Sequence, residues 1–253
     1  MTFTRFIVEG WSWSSLTLIG GMVAAAGCAV RSRLGLRPGY FAAALLLALF
    51  TLLPPFGTLA AGVLFSAHMA QHILLLVVIP ALLVLSLPRD FTPRFLNSGG
   101  FRSLAWVAGV GPMWLWHTPA LCEAAVRQPA VHAVQTASLM AMGLVFWWPV
   151  LAPCARNRMT PGPGIVYLFT ACLACTALGI ILTLTPADVC PIFSAPSSVS
   201  FWTDLRGRIG AEQDRQIGGL LMWIPMCLIY LGAILLEVFR WLRPTGVTEK
   251  PPP

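Results

Sequence analysis

The residues best equipped for chemistry in this chain are its four histidines, His68, His72, His117 and His132. Two of them frame the run Ala67-His68-Met69-Ala70-Gln71-His72, set within residues 59–87, which are otherwise almost entirely apolar. On a helix, four residues advance ~6 Å and leave both rings on one face, so His68 and His72 can converge on one object. Neutral imidazole suits zinc, copper and iron, and a thioether moves the preference toward Cu(I). Met113, one turn before His117, and Met222 are the methionines placed to add such a donor. Met69 lies ~100° around the helix from His68 and is expected to miss the site.

Hydrolysis is poorly supplied. Carboxylates in the apolar runs are scarce, with Glu237 near the far end of the last run and Glu123 in a loop, and a metal-protease motif would need a glutamate directly after the first histidine, where Met69 stands instead. No Gly-rich phosphate loop follows a strand. Binding or transfer of a metal therefore fits better than turnover, and the chain is not expected to be an enzyme. Two alternatives stay open. A haem could use His72 with His132 or His117 as axial ligands on facing helices, making the chain an electron-transfer subunit. His68 and His72 cannot both be axial to one haem, because they lie on one side of it. Or the chain is a metal-free scaffold whose histidines only tie helices together.

The elements that must position these rings are membrane helices. Of 253 residues, 57% are hydrophobic and only 10% charged, with a mean hydropathy of +0.79, whereas soluble domains carry about a quarter charged residues. Apolar runs of spanning length fall at 13–30, 39–57, 59–87, 103–117, 130–151, 164–185 and 216–239. The expectation is an all-α polytopic bundle of about seven transmembrane helices in one domain, 1–253, with the lipid bilayer as its surroundings. Residues 1–30 read as a retained first span and not as a cleaved signal, because the basic residues follow the apolar run. The formal charge of +7 is not interleaved with aromatics on a polar segment, so no nucleic-acid partner is expected and the charge is read as setting topology.

Alternating loops divide the basic residues unequally. One side holds Arg31, Arg33, Arg37, Arg89, Arg94, Arg102, Arg156, Arg158, Arg240, Arg243 and Lys250, and the other Arg5, Arg127, Arg206, Arg208 and Arg215. The excess marks the cytoplasm, which puts the N-terminus outside, the C-terminus inside and all four histidines in the outer half. If the third span starts at Leu59, His68 lies ~13 Å below its outer end and His72 ~6 Å deeper. Cys172 and Cys175 read as core packing, Gly218-Gly219 as a place of close helix approach, and Cys122 and Cys190 as residues of same-side loops where a disulfide is possible but not indicated by spacing.

Four stretches together resemble a known family. They are His68-Met69-Ala70-Gln71-His72, Trp114-Leu115-Trp116-His117-Thr118-Pro119, His132 followed by Phe146-Trp147-Trp148-Pro149, and Asp214-Arg215-Gln216-Ile217-Gly218-Gly219-Leu220-Leu221-Met222-Trp223. In order and spacing across residues 40–240 the chain resembles the CtaG-like cytochrome c oxidase assembly factors of bacteria. The resemblance implies a multi-pass protein of the cytoplasmic (inner) membrane that helps copper reach the catalytic subunit of a haem-copper oxidase, with periplasmic copper chaperones as further partners. It also implies metal ligands at His68, His72, His117 and His132, with Met222 and Asp214 nearby. The chain departs from the family at Thr136, where members often carry another histidine, and at Cys122, where a tyrosine is expected.

Overall fold

A computed structural model describes residues 35–92, 99–185 and 207–242, together with Gly20, Gly27, Arg31, Cys190 and Phe193. The elements are α1 (Pro38–Leu52), the short α2 (Phe56–Ala60), α3 (Phe65–Ser86), α4 (Gly99–Trp116), α5 (Pro119–Arg127), α6 (Pro129–Leu151), α7 (Pro161–Leu184) and α8 (Ala211–Leu242). All are helical, and four of them, α3, α6, α7 and α8, are long and apolar enough to cross a membrane. The expected first span at 13–30 lies outside the described residues apart from Gly20 and Gly27. Proline starts α1, α5, α6 and α7, where its fixed φ suits the first turn and its missing N–H costs nothing.

Two expected boundaries move. The apolar run at 39–57 ends as a helix at Leu52, because Pro54-Pro55 cannot continue it; the bond between these prolines is cis. The next run, expected from Leu59, becomes α3 only at Phe65. Between them lie α2 and a turn in which Gly62 takes a φ of 141°, a value that side chains strongly disfavour. Hydropathy stays high across this break, so only the glycine and the prolines announce it.

The centre of the bundle is α3. In its most apolar window 61% of the residues are buried, against 44% or less for α6, α7 and α8, and it packs on α1, α2, α6 and α8. It contains a π-turn at Leu74–Val78. Pro80 explains the widening: it has no N–H to return to the Leu76 carbonyl four residues earlier. That carbonyl lies against Gly143 of α6, where a Cβ would come within 2.2 Å of its oxygen. The most extensive helix pair is α7 with α8. Gly179 and Gly219 permit it, since a Cβ on either would run into Trp223 or Thr183 at under 3 Å. The expectation of close approach at the glycine pair is met.

Fully buried Phe146 and Trp147 of α6 and Tyr230 of α8 fill the middle of the core, and the Tyr167 hydroxyl donates to the Phe146 carbonyl at 2.9 Å. Outward-facing Leu46, Phe50, Phe169, Leu173, Leu228 and Phe239 stay exposed, an apolar surface that a hydrocarbon surrounding covers.

Candidate functional site

The start of α3 carries the histidines, and its position is fixed from outside. The N-cap residue Leu64 offers no side-chain cap. Asp214 of α8, 149 residues away, supplies one: its carboxylate accepts the N–H of Phe65 at 2.6 Å, the N–H of Ser66 at 3.1 Å and the Ser66 hydroxyl at 2.5 Å. An anion against the orphan N–H groups of a helix start is the favourable arrangement of both hydrogen bonds and dipole. Next to it, Arg215 donates to the Leu182 carbonyl at 2.8 Å, satisfying the last turn of α7, and pairs with Glu212. Gly218 lies against Phe65 and Met69 of α3, with room for no Cβ. The stretch from Asp214 to Gly219 thus works as a plate that holds α3 and α7 to α8. On the far face of α3, Gln71 donates to the Thr51 carbonyl of α1 at 3.0 Å.

On this held segment the rings form a line. His68 and His72 have ring centroids 4.4 Å apart, and His72 meets His117 of the α4 end edge to face at 5.1 Å. All three are buried. His132 in the first turn of α6 is half-buried and within electrostatic reach of His68 and His72. With α3 beginning at Phe65, His68 lies three residues, or ~4.5 Å, from the helix start and not ~13 Å below it.

Hydrogen bonding sets the tautomers. The Nδ1 of His68 bonds the Ala60 carbonyl at 2.9 Å, and the Nδ1 of His117 bonds the Met113 carbonyl. A carbonyl only accepts, so each Nδ1 carries the proton and each Nε2 presents a bare lone pair. This is the backbone-oriented imidazole that metal sites use. The Nε2 of His68, both ring nitrogens of His72 and the Nε2 of His132 are buried without a hydrogen-bond partner, as is the Nε2 of Gln135, whose side chain lies beside His72. Buried polar atoms are ordinarily satisfied, so this concentration of open donors and acceptors around one ring is the chemical signature of the site. Among the described residues, no three His, Cys, Asp or Glu side chains already stand close enough together to hold a metal ion.

The structure thus brings together His68, His72 and His117, with His132 alongside. Met222 joins the hydrophobic core, and the contacts of Asp214 go to the helix start and not to the rings. Met113 contributes its carbonyl. Sequence reasoning missed Met69: its Sδ lies 3.1 Å from the Nε2 of His117. It also missed Gln135, a polar residue on an otherwise apolar face of α6 that could have been flagged one turn after His132. Cys122 and Cys190 form a disulfide, so Cys122 is no free thiol. Cys175 is buried as expected, while Cys172 is partly exposed and faces Cys227 with sulfurs 3.3 Å apart.

Comparison with known protein families decides what this arrangement belongs to. Residues 23–244 match the model of the cytochrome c oxidase caa3 assembly factor family (Caa3_CtaG). The chain belongs to that family. No curated protein and no solved structure matches it. An assembly factor for cytochrome c oxidase has the oxidase as its partner and the membrane as its place of work.

Proposed function

We propose that this assembly factor holds copper at the line of rings formed by His68, His72 and His117, with His132 at its edge, and passes it toward the catalytic subunit of the oxidase. The observation that carries the reading is the pair of backbone-bonded imidazoles, His68 with its Nε2 left open and His117 with its Nε2 against the Met69 sulfur, on either side of the buried His72. These donors fit copper: each Nε2 is deprotonated and oriented before any metal arrives, and imidazole nitrogen is a ligand copper accepts in either oxidation state. A line, as opposed to a closed cage, suits a cargo that must leave. The edge-to-face contact of His72 with His117 leaves no slot for a porphyrin between them, which favours a metal ion over haem.

The same reading places the rings on the outer side of a seven-span bundle with the C-terminus in the cytoplasm. The uneven distribution of arginines supports it. So does the Cys122–Cys190 disulfide, because Cys122 lies in α5, directly after His117 at the end of the bundle where the histidines lie, and disulfides persist outside the cytoplasm. Periplasmic chaperones would then be the donors of copper. Two measurements test the proposal. Purified protein should bind copper and lose it when His68 and His72 are both replaced by alanine, and a cell carrying that pair should make oxidase lacking copper; normal oxidase assembly would reject the delivery role. A reporter fused after Lys250 should be active only in the cytoplasm.

A further inference from the structure

Met69 and His117 meet in a way that ordinary packing does not explain. The Nδ1 proton of His117 is committed to the Met113 carbonyl, so the neutral ring has only a lone pair at Nε2. A thioether has no proton to give either. Yet the Met69 Sδ faces that Nε2 at 3.1 Å, two electron-rich atoms in contact with nothing positive between them. A second proton on the ring would relieve the contact, but would leave a full charge inside the bundle with no carboxylate paired to it among the described ion pairs. Methionine is usually adaptable filler; here it is fully buried and its Cγ is braced by Gly218 of α8, where a Cβ would stand 3.2 Å away.

We infer that Met69 is a metal ligand, paired across two helices with His117, and that it makes the site one for cuprous copper. The inference rests on the copper reading above and adds the oxidation state and one donor to it. A cation between sulfur and nitrogen turns their opposition into two bonds. A thioether with imidazole is a soft donor set, which favours Cu(I) over Cu(II) and over zinc. His72, 5.1 Å from His117 by ring centroids, has a free nitrogen to complete the set from the His68 side. The run that began as two histidines with three residues between them is then a three-ligand segment, in which the residue judged to point away reaches the partner helix.

The test uses the full chain in lipid nanodiscs under anaerobic conditions, with Cu(I) affinity read by competition with a Cu(I)-specific chelator and zinc affinity read separately. Met69→Leu keeps the volume and removes the sulfur. It should weaken Cu(I) binding by about tenfold or more and leave zinc binding unchanged. Copper X-ray absorption of Cu(I)-loaded protein, in a background where Cys28, Cys154, Cys172, Cys175 and Cys227 are serine, should show a sulfur neighbour that Met69→Leu abolishes. Equal Cu(I) affinity in Met69→Leu, or a copper shell of nitrogen alone in the unsubstituted site, overturns the inference while leaving the copper reading intact. Wild-type protein that binds no copper overturns both.

Discussion

Two buried polar groups, the Asp214 carboxylate at the start of α3 and the His72 ring seven residues along that helix from Phe65, are treated in opposite ways. The Asp214 carboxylate is fully engaged, receiving two backbone N–H groups and a hydroxyl. The His72 imidazole, a short way along α3, has no well-formed hydrogen bond on either nitrogen and only the Gln135 side chain beside it. A fold that completes one so carefully has the means to complete the other, so the open ring reads as reserved for something that comes and goes. Trp147, Trp148, Asn157 and Glu237 also hold a buried polar atom without a partner, but one each, whereas five of the nine such atoms among the described residues belong to His68, His72, His132 and Gln135.

Four substitutions sharpen or break that contrast. His72→Leu, which fills the same space without nitrogen, should reduce copper affinity by ~100-fold or more and leave the thermal midpoint unchanged or raised, since no satisfied hydrogen bond is lost; a strong loss of stability would mean that the ring is structural. Asp214→Ala should do the reverse in kind, lowering unfolding free energy by about 2–4 kcal/mol as a charged cap and its three hydrogen bonds disappear. Chemical denaturation in detergent reads this, and any loss of copper should follow the loss of fold. Gly219→Ala, whose methyl would press on Thr183, should cost about 1–2 kcal/mol and loosen α7 from α8. Arg127→Ala removes an exposed ion pair with Glu123 and should change stability by less than ~0.5 kcal/mol.

Much of this was legible in the chain. The four-residue spacing of His68 and His72 places them on one face in any helix, and no tertiary knowledge is needed for that. Proline at the first turns marks four helix starts, and scarce charge marks the surroundings. What failed to show was whatever depends on a neighbouring helix. The resemblance alone set Asp214 near the ligands; its hydrogen bonds go to a helix start with an apolar residue, Leu64, at the capping position, and nothing local at Leu64 calls for a distant carboxylate. Met69 looked misdirected because its angle was measured against His68 on its own helix, while its contact belongs to α4. The start of α3 was misplaced because residues 59–64 are as apolar as the helix that follows.

Residues 74–78 hold one more residue than a regular α-turn would. The segment carrying the rings is therefore set ~100° out of phase with an unbroken helix continued back from Ile79. The segment after the π-turn is keyed to α1 and α6 and the segment before it to α2 and α8, so each takes its own angular setting. Deleting a single residue within the π-turn would act as a rotation, with little effect on span length. It would swing the face of His68 and His72 off His117 while every helix stayed in place, so the aim of the site is stored in one surplus residue.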